Sequence, residues 1–448
     1  MPKVKFIDLF AGMGGIRLGF EKSFSELGFE TQCVMTSEIK SHSVKTLYNN
    51  FPHEYFVRNI FEVTDEQIPD FDFLLGGFPC QPFSAGGKRQ GFIDTRGTLF
   101  FEIERILRDK KPYGFILENV EGLVKHDLKD KNDKIGQTLE TIIYKLEVEL
   151  GYKVSWEVLD SLDFGLPQSR KRIFIVGTKT DVIDLKVENP IYKPLKSILE
   201  SGLQTLETEF TQKLLGHFEL EDLFGKSIKD KRGGDNNIHS WDIGLRGEVS
   251  DDQVILLNRL FKERRKKHWA GEIGIDWMDG MALTYGQIST FADYPDLKNM
   301  LEDLVNKGYL RFEHPKKLVR EQTEYGERKY RTYDETKPKG YNIVTGKLSF
   351  EINKILDPND IAPTLVATDA SRLAVPDNGG LRRLTIREGL RLFGYPDWYE
   401  MPITENEAYD LLGNTVAVPV VEHVANKVAV IYQNSIAHLT SKEIPVYS

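Results

Sequence analysis

The first 180 residues alternate strand-sized apolar runs with segments of helical period, and that rhythm admits few folds. Val4-Lys-Phe-Ile-Asp-Leu-Phe10 reads as a strand and Ala11-Gly-Met-Gly-Gly15 as a tight glycine turn. Ile16 to Gly28 follows as a helix, with Ile16, Leu18, Phe20, Phe24 and Leu27 at helical spacing and a glycine stop. Further strands are expected at Phe29–Met35, Phe71–Leu75, Gly114–Glu118, Tyr152–Leu159 and Arg172–Gly177. Helices are expected from Glu38 through Tyr48, over Gly97–Lys111 and over Ile135–Leu150. Strands alternating with helices predict an α/β fold with a doubly wound, mostly parallel sheet.

After Thr180 the rhythm breaks. From about Asp181 to Pro376 short helical pieces, charge runs and Gly/Tyr-rich segments show no βα alternation. That stretch is too long for a loop, and 448 residues exceed what one core supports, so a second domain or a large insertion is expected. Met300 to Glu313 reads as a helix running into a strand, consistent with either a winged-helix-like or a purely structural insert. Periodicity returns at Thr385–Phe393, a helix capped by Thr385 and stopped by Gly394-Tyr-Pro396, and a helix from Val420 to Tyr432 closes the chain.

Four places carry residues suited to chemistry. Gly76-Gly-Phe-Pro-Cys-Gln-Pro-Phe-Ser84 follows an apolar run, and its two glycines are expected to turn the chain as the strand ends. Pro79 and Pro82 fix φ, so the segment should be a stiff loop where open α/β sheets place their sites. Cys80 in that loop is either a nucleophile or a small buried hydrophobe, and the residues alone leave both open. The continuation to Gly97, with four glycines and three basic residues, suits a mobile flap or a plain surface loop. Glu118 at a strand end is a buried proton donor or a turn acid. Gln168-Ser-Arg-Lys-Arg172 offers an arginine to orient a carboxylate, thiolate or ring carbonyl, or is a solvated basic turn. The Gly12, Gly14, Gly15 turn lacks the full dinucleotide spacing. It still permits close backbone approach to a ligand, with Glu38 placed to accept ribose hydroxyls.

Cys33 and Cys80 are the only cysteines, too few for a disulfide framework or zinc cluster, which fits a reducing cytoplasm. No apolar run reaches membrane length, no room precedes the first strand for a signal peptide, and no metal site is expected. A net charge of −9 argues against a wholly basic nucleic-acid coat, yet leaves room for a local basic face. Lys262–Lys267, and Lys316–Arg320 with Arg328–Arg331, are candidates for such a face or for solvated surface.

Taken in order, Asp-Leu-Phe-Ala-Gly-x-Gly-Gly, Gly-Phe-Pro-Cys-Gln, Glu-Asn-Val, Gln-x-Arg-x-Arg, Arg382-Arg-Leu-Thr-Ile-Arg-Glu and Gly413-Asn-Thr-Val416 closely resemble the DNA (cytosine-5)-methyltransferases. The resemblance covers roughly Phe6 to Gly177 and Leu381 to Ala425. It implies a Rossmann-like S-adenosylmethionine-dependent methyltransferase domain over 1–180 plus 406–448, and a target-recognition domain with hinge over 181–405. It also implies that the Cys80 thiolate adds to cytosine C6, making C5 enamine-like. Glu118 would contact N3 and the exocyclic amine, Arg172 with Arg170 would hold O2 and the catalytic loop, and Gln81 and Ser84 would lie on the loop closing over extruded DNA.

For S-adenosylmethionine the resemblance implies Phe10 on adenine, Glu38 on the ribose, and Gly12 and Gly14 beside the methionine part. Asn414 and Val416 would return to the same pocket, with Ala11, Gly15, Ile60, Pro79 and Leu99 around it. Two positions depart from the family: Asn59 stands where Asp often reads the adenine amine, and Ile39 replaces an aromatic after the ribose acid. Implied partners are double-stranded DNA and a separately acting restriction endonuclease, for a monomeric bacterial or phage enzyme of the cytoplasm. Relatives that methylate tRNA carry a late Cys-Phe-Thr motif, which this sequence lacks.

Overall fold

The computed structural model describes residues 1–78, 99–130, 132–230, 236–323, 326–344, 350–367 and 370–442. The chain divides into two compact units. One comprises Met1–Glu200, Pro358–Ser371 and Leu384–Ser448; the other comprises Ser201–Asp357 and Arg372–Arg383.

The first unit is built on a seven-stranded sheet of β1 (Lys3–Leu9), β2 (Glu30–Ser37), β3 (Phe56–Val57), β4 (Phe73–Gly77), β5 (Gly114–Val120), β6 (Lys153–Asp160) and β7 (Lys171–Thr178). Its order is β3-β2-β1-β4-β5-β7-β6. β1 through β5 pair in parallel, and β7 runs antiparallel between β5 and β6. The expected doubly wound, mostly parallel sheet is therefore present. Its order reverses between β1 and β4, so the crevice for a ligand lies outside their carboxyl ends.

Helices α1 (Gly15–Glu26), α2 (Ser41–Asn50), α3 (Leu99–Lys110) and α4 (Gln137–Tyr144) follow β1, β2, β4 and β5. Apolar side chains of the buried strands point alternately to two cores. Ile7, Leu74 and Leu117 meet Ile103, Leu107 and Ile142 on one face. Phe6, Phe73 and Phe174 meet Phe20, Phe24 and Val424 on the other. Among the described residues no single helix is long and apolar enough to cross a membrane.

Two local expectations need correction. β4 starts at Phe73 rather than Phe71, and Asp72, just before it, accepts the Lys5 backbone N–H with its side chain at 2.8 Å. It then runs through both glycines, which pair with Leu117 and Glu118 instead of turning. The expected helix Ile135–Leu150 is shorter: α4 ends at Tyr144 and the chain widens into a π turn over Lys145–Glu149.

The second unit has two cores of its own. Helices Asp251–Glu263 and Leu297–Asn306 pack Leu256, Leu260, Leu301 and Leu304 around Trp241 and Tyr309. A small five-stranded sheet packs Ile228, Ile355, Ala374 and Leu381 against Leu214 and Leu223. The expected helix-to-strand passage is seen as Leu297–Asn306 followed by Leu310–Glu313.

Candidate active site

At the carboxyl end of β4, Gly77 is in register with Glu118 of β5. A Cβ on Gly77 would stand 3.4 Å from Glu118 Oε2, in ordinary van der Waals contact, so the two positions are immediate neighbours. Arg172, on β7 and diagonal to Glu118 across the ladder, brings Nε to 3.1 Å from Glu118 Oε1. Burial pushes the Glu118 carboxyl above its ordinary range, while Arg172 and Arg170 pull it back. Next to it Asn119 Nδ2 donates to the Phe78 carbonyl at 2.8 Å, which ties β5 to the segment leading to Cys80. Pro79, Cys80, Gln81 and Ser84 lie outside the described residues.

Arg170 is turned elsewhere. Its Nη1 donates to the Leu365 carbonyl at 2.9 Å and its Nη2 to the Gly413 carbonyl at 3.0 Å, and the guanidinium lies over the Phe393 ring. Burial, with Arg172 nearby, pulls it down to about 9, still cationic at neutral pH. Gln168 joins the same seam. Its Oε1 accepts from Leu365 N–H at 2.9 Å and its Nε2 donates to the Leu392 carbonyl at 3.2 Å. The motif thus divides its labour: Arg172 meets the carboxylate, whereas Gln168 and Arg170 fasten the returning chain.

The turn after β1 takes left-handed backbone at Phe10, Gly12 and Gly14. Gly12 N–H donates to Glu38 Oε2 at 2.8 Å, and Lys40 N–H to Glu38 Oε1 at 2.7 Å. Those two bonds fix the carboxylate at the end of β2, and each oxygen keeps acceptor capacity for a further donor. A Cβ on Gly12 would meet nothing within 4 Å, so the turn faces open space. Ala11 N–H donates to the Ser37 carbonyl at 3.1 Å, holding the turn to β2.

Val416 from the C-terminal motif packs where a Cβ on Gly15 would come within 2.7 Å of it. Asn414 is exposed and donates from Nδ2 to the Asp410 carbonyl at 2.8 Å, while His42 Nε2 lies 2.8 Å from Asp410 Oδ2. Asn59 caps a short 3₁₀ turn, its Oδ1 accepting from Phe61 N–H at 3.3 Å, and Ile60 beside it is buried. Ile39 is exposed, and Phe10 and Leu99 pack at the edge of the core.

Two residues were not singled out from sequence. Asp8, in the middle of β1, is 1% exposed and neither carboxyl oxygen has a hydrogen-bond partner among the described residues. Burial pushes it up to about 7, against the pull of Arg17. Its signal was available, since a carboxylate inside an apolar strand is anomalous. Tyr395, whose hydroxyl lies 2.6 Å from Thr415 Oγ1, gave no such signal, because an aromatic after a helix-stopping glycine reads as ordinary packing.

A family model for the C-5 cytosine-specific DNA methylases matches residues 4–429. The type II methyltransferase M.NlaIV of Neisseria lactamica is 58% identical over 427 residues, 95% of this chain and 99% of that protein. M.BanI of Aneurinibacillus aneurinilyticus is 42% identical, over 98% of this chain and 97% of its own length. Among solved structures, the Entamoeba histolytica methyltransferase EhMeth has the same fold at a TM-score of 0.52 and 15% identity, covering 96% of this chain and 99% of that one. With its sheet order, its paired strand-end carboxylate and relatives matched end to end, this chain belongs to the C-5 cytosine-specific DNA methylase family and is a DNA (cytosine-5)-methyltransferase.

Proposed function

We propose that the enzyme methylates C5 of a cytosine extruded from a specific double-stranded DNA sequence, with Cys80 as nucleophile and S-adenosylmethionine as donor, in a bacterial restriction-modification setting. The observation that carries the residue roles is the buried Glu118 carboxyl with Arg172 at 3.1 Å, on β5 beside the end of β4, the strand that leads to Cys80. Unaided, cytosine C5 is too weak a nucleophile. Addition of the Cys80 thiolate to C6 breaks the 5,6 double bond and moves electron density to C5. Negative charge then gathers along C2, N3 and the exocyclic amine, where Glu118, held high by burial, can share a proton with N3. Arg172 fixes that carboxyl and presents a cation to O2. After C5 gains its methyl group, loss of the C5 proton and departure of the Cys80 thiolate restore the ring.

The residues present fit the cofactor. Glu38 offers oriented acceptors for vicinal hydroxyls, and the Gly12 turn faces open space. When bound, S-adenosylmethionine supplies an electrophilic methyl group on a sulfonium. Glu38 would hold its ribose, Phe10 and Ile60 its adenine, and Asn414 and Val416 the far wall. The same reading gives the second unit target recognition and assigns the enzyme, with its DNA, to the cytoplasm.

Transfer of tritium from labelled S-adenosylmethionine tests this directly. Label is expected in duplex DNA and not in tRNA, and Cys80→Ala should abolish it. Label in tRNA alone, or undiminished transfer by the Cys80→Ala enzyme, would overturn the reading. Sequencing bisulfite-treated DNA from expressing cells then gives the recognised site.

A further inference from the structure

Glu38 and Asn414 lie near opposite ends of the chain, and one carboxylate joins the segments that carry them. Asp410, on the helix Glu405–Asn414, has Oδ2 bonded to Lys40 Nζ and 2.8 Å from His42 Nε2. Although burial works against it, the bonds to Lys40 and His42 hold the Asp410 carboxyl below its ordinary range. An ionised carboxylate can only accept, so the His42 nitrogen is the donor. The neighbours carry the connection onward. Lys40 N–H donates to Glu38 Oε1 at 2.7 Å, and Asn414 Nδ2 donates to the Asp410 carbonyl at 2.8 Å. A path of hydrogen bonds therefore runs from Glu38 through Lys40 and Asp410 to Asn414.

Helix dipoles make the placement of Asp410 informative. It stands about one turn from the C-terminal end of its own helix, where negative charge is disfavoured, and no basic residue in the last turn offsets it. The helix it reaches, α2, begins at Ser41 without a side-chain cap and without an acid in its first turn. Asp410 brings a carboxylate to that end from 368 residues beyond His42. The far end of α2 carries a second tie to the same stretch of chain. Asn50 Nδ2 donates to the Glu400 carbonyl at 2.7 Å, and Asn50 Oδ1 accepts from the Glu400 N–H at 3.0 Å. α2 has ten residues, so this tie lies roughly 15 Å along the helix from the first, away from Glu38 and Asn414.

We propose that Asp410, Lys40 and His42 form a clasp that sets the spacing between Glu38 and Asn414, which makes them positioning residues for S-adenosylmethionine. The Asp410 side chain is 36% exposed, where ion pairs add little to stability, so its effect is on placement more than on holding the fold. Two groups that grip one ligand from separate segments bind it well only when their separation is fixed beforehand. The proposal rests on the reading that Glu38 and Asn414 hold S-adenosylmethionine, and adds what keeps the two in register.

The test compares full-length Asp410→Ala, Lys40→Met, their double variant and Asn50→Ala with wild type. Calorimetry reads S-adenosylmethionine binding, thermal unfolding reads the fold, and steady-state methylation uses a duplex carrying the site found by bisulfite sequencing. Asp410→Ala should weaken donor binding by roughly tenfold, the reach of one coupled pair of side chains. Its KM for the donor should rise while kcat at saturating donor stays at the wild-type value. Adding Lys40→Met should cost no further affinity, because Asp410→Ala has already opened that contact. Asn50→Ala should lower the unfolding midpoint at least as much as Asp410→Ala and leave the donor Kd unchanged. Should the alanine variant fail to fold, Asp410→Asn keeps the shape, loses the charge and should show the same shift at smaller size. A wild-type donor Kd in folded Asp410→Ala or Asp410→Asn, or an equal shift in Asn50→Ala, would overturn the clasp. An unchanged Kd in Glu38→Gln as well would instead sink the cofactor reading beneath it.

Discussion

Arg172 Nε stands 3.1 Å from Glu118 Oε1, joining β7 to β5 beside the carboxyl end of β4. The pair is mostly buried, with side chains 18% and 11% exposed, so each partner makes the other's charge tolerable. Removing Arg172 alone strands a carboxylate in a desolvated place. Arg172→Ala should cost roughly 2–4 kcal/mol of stability, whereas Arg172→Ala in a Glu118→Gln background should cost much less. Denaturant unfolding of the four proteins checks this, and additive costs would mean the two side chains do not interact. Glu118→Gln should fold normally and lose about 10²-fold or more in kcat, because the charge it stabilises exists only as Cys80 adds.

Glu38 is held by two backbone donors, Gly12 N–H and Lys40 N–H, and both bonds survive replacement by Gln through its one oxygen only in part. Glu38→Gln should therefore lower stability by about 1 kcal/mol and weaken S-adenosylmethionine binding by roughly tenfold, the value of one charge-assisted hydrogen bond. Isothermal calorimetry reads it. An unchanged Kd would remove Glu38 from the cofactor site.

The α/β rhythm was legible because buried parallel strands read as apolar runs, whereas the residues alone left Glu118 and Arg172 open and only the order of the motifs singled them out. Strand edges were harder. Gly76 and Gly77 look like a turn, yet they continue β4, since the ladder to Leu117 and Glu118 outweighs their loss of backbone freedom. Arg170 and Arg172 look alike in sequence. Only the fold separates them, because the partners of Arg170 are carbonyls of Leu365 and Gly413, 195 and 243 residues away along the chain.

That separation has a measurable consequence. Gly413 passes so close to the Ala367 backbone that a Cβ on it would overlap the Ala367 nitrogen, and its carbonyl accepts from Arg170. Gly413→Ala must push two backbones apart, for a cost of roughly 2–3 kcal/mol. Arg170→Lys loses the two-pronged grip and should cost a similar amount. Both should also weaken cofactor binding through the neighbouring Asn414. Thermal unfolding with calorimetry would show the paired loss, and a stable Gly413→Ala protein would contradict the close approach.

Asp8 gives the last prediction, and its sign follows from where the proton sits. Burial lifts its carboxyl from 3.8 to about 7 in the folded protein. Between those values the folded state holds a proton that the unfolded chain has released, so stability falls as pH rises from about 4 to 7 and is level above. Asp8→Asn removes that dependence. Its stability relative to wild type should rise by a few kcal/mol between pH 4.5 and pH 8, since a tenfold difference in proton affinity between the folded and unfolded chain is worth about 1.4 kcal/mol. Urea unfolding of both proteins at the two pH values decides it. A difference that stays constant would place a compensating partner on Asp8, and a difference that shrinks would mean its carboxylate is the favoured form.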